Sequence, residues 1–307
     1  MAAALIVWGP ACSRVDYVLG VKEVAASGGA GSSGMGGAGA AGLGDFGAPT
    51  LVEALCWSDA DDDDPTLTPD LLEIWFSSTR PGGLGASDIW HSVRETPTAV
   101  WQEPTLVAEL SSEAAETSVA VSRDALEIWV TTAREGGSGA FDIWVATRDS
   151  RQGSWSEPEP VVELNSEVDD LARGPDRTGR ELWMASKRAS DGEVYDIFVA
   201  TRAGRSEPWA APVEVTELNS EAYDADPFLA VDDRTIFFTS SRAESTDDDL
   251  YVAVRPGPTE SFGSAEPLSE LNGPGRDGDP WVSDDLRYII YASEHEDEGI
   301  NLYEAWR

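Results

Sequence analysis

The chain has few of the residues from which metal centres and disulfide frameworks are built. Its 307 residues include two cysteines, Cys12 and Cys56, and two histidines, His91 and His295. So few thiol and imidazole groups argue against a structural zinc site, and they allow at most one disulfide, between Cys12 and Cys56. The sequence also has no Gly-x-Ser-x-Gly elbow, no Walker loop and no His-Glu-x-x-His motif. It therefore offers none of the short signatures of serine hydrolases, nucleotide hydrolases or zinc proteases.

Positive charge is scarce as well. Lys and Arg together number 21 against 57 Asp and Glu, which gives a formal net charge of −36. A surface of this sign repels phosphate backbones and anionic headgroups, which argues against nucleic-acid binding and against electrostatic binding to a membrane. No apolar run reaches the roughly 20 residues that a membrane-spanning helix needs. We therefore expect contact with a membrane only through a lipid anchor.

Helical periodicity is nearly absent, and short runs of β-branched and aromatic residues between Gly, Pro, Asp and Ser turns take its place. One module predicts four strands, at residues 117–122, 126–132, 142–147 and 158–164. The module recurs with a period of 54 residues, measured on Arg80, Arg134, Arg188 and Arg242, and the fifth copy has Glu294 at this position. A fixed period of this size in all-strand sequence, with four strands per module, indicates the blades of a propeller.

The two ends of the repeat region decide how many blades there are. The last module supplies only three predicted strands, at residues 279–282, 288–292 and 301–305. The missing outer strand is found before the first module, where Phe46-Gly-Ala-Pro49 resembles Phe262-Gly-Ser-Ala-Glu-Pro267. We predict that residues 46–55 form the outer strand of the fifth blade and so close the ring, because closure removes exposed sheet edges. The predicted fold is an all-β, five-bladed β-propeller spanning residues 46–307.

Three segments of the first module carry a family resemblance. DPTLTPD at residues 64–70, IWFSSTR at 74–80 and SDIWHSVR at 87–94 resemble the WD40-like repeats of the TolB type, known as PD40-type repeats. The resemblance extends over residues 46–307 and implies the propeller fold. It implies less about function, since propellers of this kind serve as periplasmic adaptors, as sugar-active enzymes and as accessory domains of peptidases.

The N-terminal region is predicted to be a targeting signal followed by a linker. Residues 1–12 combine a short apolar stretch with a small residue before Cys12, which resembles a bacterial lipoprotein signal with Cys12 as the lipidated residue. An ordinary secretory signal and an apolar start without a targeting role are the two alternatives, because a basic segment is lacking. Residues 13–45 are rich in Gly, Ala and Ser and predict a flexible linker.

An arginine ends the second strand of a module and an aspartate begins the third, so we expect the two to pair across the hairpin as a structural clasp. The expected pairs are Arg80 with Asp88, Arg134 with Asp142, Arg188 with Asp196, and Arg242 with Asp249. Because Glu294 and Asn301 replace them in the fifth module, we expect that blade to be held differently. Two aromatic columns, which include Trp75 and Trp90, recur in register and are interpreted as packing between blades.

Acidic residues recur just before the innermost predicted strands. Each module has a recurring turn aspartate, such as Asp70 or Asp176, from which positions are counted upstream. The residues eight positions upstream are Asp62, Glu116, Val168, Asp224 and Asp277. The column six residues upstream comprises Asp64, Ser118, Asp170, Asp226 and Asp279. Positions two apart on an extended segment face the same side, so the acidic members would converge on one mouth of the channel. Such crowding would raise some of their pKa values or recruit a cation, with oxygen ligands favouring calcium. The alternative is that Asp before Pro is ordinary turn chemistry.

The functional expectation follows from the fold and from the missing catalytic motifs. We predict a non-catalytic binding or scaffolding module of the bacterial cell envelope, periplasmic or anchored to the outer membrane, monomeric, with an envelope protein or a glycan as partner and no cofactor other than calcium. Specificity is expected in the loops at residues 81–87, 135–140 and 190–195. The alternative is a five-bladed glycoside hydrolase, which needs only two or three carboxylates across the channel mouth.

Overall fold

The computed structural model describes residues 43–190, 192–242, 247–294 and 299–307. In these ranges the chain forms β-strands and turns, with no helix, so none of the described residues belongs to a helix that could cross a membrane. The strands form five separate four-stranded antiparallel sheets. Neighbouring sheets touch in the order one, two, three, four, five and back to one. The predicted five-bladed propeller is therefore confirmed.

Within a blade, strand order follows the chain from the channel outwards, except that blade five takes its outermost strand from the N-terminal side. The innermost strands of blades one to five are β2 (Asp62–Leu67), β6 (Glu116–Val121), β10 (Asp170–Pro175), β14 (Asp224–Leu229) and β18 (Asp277–Val282). The second strands are β3 (Glu73–Ser78), β7 (Glu127–Thr132), β11 (Glu181–Ser186), β15 (Thr235–Ser240) and β19 (Tyr288–Ser293). The third strands are β4 (Asp88–Val93), β8 (Asp142–Thr147), β12 (Asp196–Thr201), β16 (Asp249–Val254) and β20 (Asn301–Trp306). The outermost strands are β5 (Thr105–Leu106), β9 (Glu159–Pro160), β13 (Val213–Glu214), β17 (Glu266–Pro267) and β1 (Thr50–Leu51). We call the end of the ring where the innermost strands begin the upper face, and the end where they finish the lower face.

Each blade contacts its neighbour through innermost strands and second strands, and the side chains of the second strands are buried on both sheet faces. Trp75 of β3 is 1% exposed and packs in one cluster with Val119 and Ile128 of the next blade. Trp129, Trp183 and Phe237 occupy the equivalent positions and are equally buried. The interpretation of this aromatic column as core is confirmed. Burial of each such ring contributes a few kcal/mol, so this column helps to hold neighbouring blades together.

The N-terminal segment closes the ring as predicted. Thr50 and Leu51 pair with Glu304 and Tyr303 of β20, and the Gly47 amide donates to the Trp306 carbonyl oxygen at 2.8 Å. Of the predicted residues 46–55, only these two have strand pairing, since the chain turns away at Val52 towards the upper face.

A second column of arginines, which the sequence analysis missed, lies at the lower face, with one arginine in each of the five blades. Each arginine follows the third strand of its blade. Its guanidinium carbon lies 4.0 to 4.6 Å from the centre of an aromatic ring, which comes later in the same blade or, in blade five, from the N-terminal segment that closes the ring of blades. The pairs are Arg94 with Trp101, Arg148 with Trp155, Arg202 with Trp209, Arg255 with Phe262, and Arg307 with Phe46. Each arginine also donates from Nε to a carbonyl oxygen of the turn between the first two strands, as Arg94 does to Leu71 at 2.6 Å. The spacing of 54 residues between Arg94, Arg148 and Arg202 was the available signal.

Phe46 is the ring that completes this column across the closure, so its truncation should weaken the closing strand. Phe46 is 4% exposed and packs with Ala305 and Ile289 of the last blade. We expect Phe46→Ala to lower the free energy of unfolding by about 3 kcal/mol, as for other buried phenylalanines. Urea denaturation of residues 43–307 measures this. Val213→Ala, on an exposed outer strand, serves as the control and should cost less than about 0.5 kcal/mol; equal losses would contradict the closing role of Phe46.

Candidate functional site

The upper arginines form clasps, but not with the predicted partners. Arg80 binds Asp62 of the innermost strand at 2.5 Å, donates to the Ser78 hydroxyl at 2.9 Å, and also donates to the carbonyl oxygen of Leu55 in the preceding loop. The same arrangement joins Arg134 to Glu116, Arg188 to Asp170 and Arg242 to Asp224. The predicted pairing of Arg80, Arg134, Arg188 and Arg242 with Asp88, Asp142, Asp196 and Asp249 is therefore wrong. The arginine is drawn to the innermost acid because that carboxylate is fully buried and needs a counter-charge.

The aspartates that begin the third strands accept hydrogen bonds from amides of the loops that precede them, as two blades show. Asp88 accepts from the amides of Leu84 and Gly85 at 2.9 and 3.1 Å, and Asp142 binds its loop in the same way. Gly83 is required beside it, because a Cβ there would overlap the Oδ2 of Asp88. The loop letters RPGGLGASD, with glycines before the aspartate, were the signal for this role.

The fifth blade is held differently, as expected. Glu294 stands where the other blades have arginine, and the Tyr291 hydroxyl donates at 3.1 Å to the Leu271 carbonyl oxygen that the arginine would otherwise bind. Tyr291 is fully buried, and burial raises the pKa of its hydroxyl above the ordinary value. A neutral phenol thus replaces the guanidinium as donor to the incoming loop.

The eight acids predicted to ring one mouth divide into two groups. Asp62, Glu116, Asp170, Asp224 and Asp277 all begin an innermost strand and are 0% exposed. Four of these hold the upper arginines and Asp277 accepts from the Gly273 amide, so this group lies inside the blades and does not converge on the mouth. That part of the prediction is wrong.

The alignment of blade three was the source of part of this error. Asp176 was taken as the recurring turn aspartate, but its carboxylate accepts from the Glu181 amide as the Thr68 hydroxyl accepts from the Glu73 amide. Asp176 therefore corresponds to Thr68, which lies two residues before the turn aspartate Asp70. Asp170 consequently belongs with Asp62, and Val168 belongs to neither column.

Three of the predicted acids do converge in the channel, and a bulge turns them there. Asp64, Asp226 and Asp279 each precede a proline and have φ of 55°, 55° and 58°. The strand register shifts at this point in each of the three blades. Aspartate tolerates the left-handed region better than most residues, and the bulge breaks the two-residue alternation of the strand. The Asp-Pro turn chemistry and the converging carboxylates are thus one feature, because the turn aims the carboxylate.

Blade three has an arginine at the position where blades one, four and five have the proline of their Asp-Pro pair. Ala172 occupies the aspartate position, and the next residue, Arg173, extends into the channel with its side chain 10% exposed. Its Nη1 donates to Asp64, and its Nη2 donates to both Asp226 and Asp279. One guanidinium therefore joins blades one, three, four and five across the channel.

A second arginine binds the upper side of the same cluster. Arg276 donates to Asp63 at 2.9 Å and to Asp279 at 2.8 Å. We call Asp63, Asp64, Asp226, Asp279, Arg173 and Arg276 the channel cluster. Its four carboxylates exceed its two guanidinium groups, which leaves two negative charges in a buried site when all are ionised. The sequence analysis missed Asp63, Arg173 and Arg276, since none recurs between blades.

Burial and the two arginines shift the pKa values within the channel cluster in opposite directions. Burial raises the pKa of Asp226, and Asp279 raises it further although Arg173 opposes the shift. Burial also raises the pKa of Asp63 well above its ordinary value, against the effect of Arg276. For Asp279, burial alone would raise the pKa, but Arg173 and Arg276 outweigh it and hold the pKa below its ordinary value. The cluster can thus retain a proton on Asp226 or Asp63 while Asp279 stays ionised.

The channel cluster also contains a set of oxygens that suits a cation. One carboxylate oxygen each from Asp63, Asp64 and Asp279 lies within 4.8 Å of the others. Oxygen-only ligands favour calcium, and a divalent ion would match the two excess charges. Such an ion would have to displace the Arg276 contacts to Asp63 and Asp279. Calcium binding stays a prediction, with Asp63 added to the ligands expected from the sequence.

Comparison with known proteins shows the fold and not the family. No protein-family model and no curated protein sequence matches the chain. An endo-arabinase from Bacteroides thetaiotaomicron is 14% identical with a TM-score of 0.57, covering 86% of this chain and 98% of its own. An α-L-arabinofuranosidase from Lactobacillus brevis is 12% identical with a TM-score of 0.51, covering 80% and 90%. A protein assigned as TolB from Agrobacterium tumefaciens is 15% identical with a TM-score of 0.48, covering 86% and 92%. The chain shares its propeller fold with the endo-arabinase and the α-L-arabinofuranosidase, and membership of the PD40-type repeat family remains a prediction.

Removal of the Arg173 charge should expose how the channel cluster is balanced. We expect Arg173→Met to lower the free energy of unfolding at pH 7 by about 3–5 kcal/mol, because three buried carboxylates lose their shared partner. Carboxyl groups without that partner have pKa values above those of the unfolded chain, so their penalty is relieved as pH falls. The difference from wild type should therefore shrink between pH 7 and pH 5, measured by urea denaturation at each pH.

Two further variants make this test specific. Asp226→Asn in the Arg173→Met background should recover part of the lost stability at pH 7, because one unpaired charge is removed. Arg180→Met, an exposed arginine of the same blade, should change stability by less than about 0.5 kcal/mol at either pH. A loss in Arg173→Met that is independent of pH and not recovered by Asp226→Asn would contradict the charge balance described for the cluster.

Proposed function

We propose that the chain is a non-catalytic binding or scaffolding module of the bacterial cell envelope, with an envelope protein or a glycan as its partner. The observation that carries the proposal is the single guanidinium of Arg173 bound to Asp64, Asp226 and Asp279 together. A hydrolase needs carboxylates that are free to reach a sugar and its attacking water. Here the three channel carboxylates already share one internal partner, which holds their three blades in a fixed arrangement with blade three. A rigid ring that presents loops suits docking.

The upper face offers the side chains for such docking. Trp57 and Leu84 lie in the two upper loops of blade one and are 44% and 53% exposed. The Trp57 amide donates to Asp62 at 2.7 Å, so the loop that presents this ring is tied to the innermost strand. Large apolar groups on a tethered loop, beside an acidic channel mouth, favour a partner that combines an apolar contact with positive charge or hydroxyl groups.

The envelope location rests on the N-terminal sequence. Cys12 and the predicted linker up to residue 42 lie outside the described residues, so the lipid anchor is proposed from the pattern of residues 1–12 alone. We expect the full chain, expressed in a Gram-negative host, to be recovered with the membrane fraction. Cys12→Ala should move it to the soluble fraction, because a single acylated cysteine is its only proposed membrane contact. Cys56→Ala is the matched control and should leave the distribution unchanged. Equal fractionation of all three proteins would remove the anchor from the proposal.

The docking role itself is tested by cross-linking. Tagged residues 43–307 are mixed with solubilised envelope proteins and with cell-wall fragments, in the presence of calcium or of a chelator. We expect one partner to be captured by wild type and to be captured several-fold less by a Trp57→Ala, Leu84→Ala double variant. Val100→Ala, exposed on the lower face, is the control. Capture that does not depend on Trp57 and Leu84 would contradict docking through the upper face, and the calcium arm shows whether the channel cluster takes part.

A glycoside hydrolase remains the second candidate, on one specific observation. Asp226 has a raised pKa and Asp279 a lowered one within the same cluster, and such a split is what a general acid and an ionised partner require. In the cross-linking experiment the same cell-wall fragments are assayed for release of reducing sugar. Hydrolysis that disappears in Asp226→Asn would replace the binding proposal with the enzymatic one.

A further inference from the structure

The channel has a second opening on the lower face, and its chemistry differs from that of the upper mouth. It forms an open funnel, in which the space of about 580 Å³ between the lining atoms includes open solvent. Phe228 and Trp281 form one wall, with their ring centres 5.8 Å apart, and Val121 lies among the other apolar lining residues. The funnel narrows upwards to Arg173, which separates it from the carboxylates of the channel cluster.

The funnel is lined by positive charge in a strongly negative protein. Arg123, Arg173 and Arg177 line it, whereas Asp284 is the only acidic residue among the described residues that do so. Arg177 is bound to Asp233 at 2.9 Å but keeps 51% of its side chain exposed. All three arginines already have carboxylate partners, so an incoming carboxylate would have to replace one of those internal partners.

One ion pair spans the opening. Arg123 belongs to the turn of blade two and Asp284 to the turn of blade five, which are not neighbours in the ring. Nη1 and Nη2 of Arg123 each donate to one oxygen of Asp284 at 2.6 Å, a planar bidentate fit. The two side chains are 35% and 44% exposed, so the pair contributes less than about 1 kcal/mol to stability. We call this weak Arg123–Asp284 pair the strap. A competing carboxylate can replace Asp284 in it.

We propose that the lower funnel binds a small organic acid, a carboxylate carried on a ring-shaped body. The ligand carboxylate takes the place of Asp284 on the planar fork of Arg123, with Arg177 as the second positive charge at the opening. The ring packs against Phe228 and Trp281. Asp284 is thus an internal mimic of the ligand carboxylate. This inference rests on the funnel alone and does not depend on the partner of the upper face.

Carboxylates on ring bodies come from aromatic acids or from uronic acids, and two probes separate these sources. Benzoate and glucuronate are titrated into residues 43–307 by calorimetry at low ionic strength, with benzamide and glucose as their uncharged counterparts. We expect at least one acid to bind and its uncharged counterpart to bind at least tenfold more weakly. Asp284→Asn should tighten binding of that acid about 2–5-fold, because the internal competitor is worth no more than an exposed ion pair.

Variants decide whether the strap is the site. Arg123→Gln should abolish both the binding and the gain seen in Asp284→Asn. Asp124→Asn is the matched control, because Asp124 forms a similarly exposed ion pair with Arg205 on the lower face outside the funnel lining, and it should leave the affinity unchanged. Unchanged melting temperatures in all variants show that the fold is retained. The proposal is overturned if neither acid binds, if benzamide or glucose binds as tightly as its acid, if inorganic phosphate binds better than both acids, or if Asp284→Asn has no effect.

Discussion

The fold depends on a buried carboxylate at the start of each innermost strand. Burial raises the pKa of Asp62 even with Arg80, Ser78 and the Trp57 amide bound to it, which shows how costly the site is for a charge. Arg80 offsets that cost and at the same time binds the carbonyl oxygen of Leu55 in the loop that arrives from the preceding blade. One arginine therefore joins the innermost strand, the second strand and the loop between blades. On the lower face, a second arginine in each blade joins the third strand to the innermost turn and covers an aromatic ring. The blades are clasped at both ends by arginine, which presents five rigid donors and does not lose its charge at any working pH.

Against this regular background, the residues that do not recur mark the site. Asp64, Asp226 and Asp279 repeat with their prolines, whereas Arg173 and Arg276 each occur once. A clasp that served only packing would be expected in every blade, as the upper and lower arginines nearly are. Arg173 instead draws three blades towards a fourth and closes the channel between its two openings. The break in symmetry at blade three, where Ala172-Arg173 replaces the Asp-Pro of blades one, four and five, therefore marks the candidate site.

The sequence predicted the repeat, the blade number and the closing strand, because period and strand composition depend on local pattern alone. Which charge pairs with which was decided by features that the pattern does not contain. Arg80 and Asp88 flank one hairpin, but one oxygen of Asp88 accepts from amides of its own glycine-rich loop, and the arginine binds Asp62 instead. Only three of the eight predicted acids converge, because a bulge at Asp-Pro cancels the alternation on which the prediction relied. Asp176 misled the alignment since a carboxylate there performs the work of the Thr68 hydroxyl. The lower arginine column, by contrast, was visible in the spacing from Arg94 to Arg202.

Arg173 takes part in both ends of the channel, and this limits how independent they can be. Its terminal nitrogens hold the carboxylates above, and its side chain lines the funnel below. A group that moves the guanidinium at one end would change the stabilisation of Asp226 and Asp279 at the other, and so would change how readily Asp226 keeps its proton. Linkage would make the effect reciprocal: a cation that draws Asp64 and Asp279 away from Arg173 would alter the affinity of the proposed funnel site by the same factor as a funnel ligand would alter that of the cation.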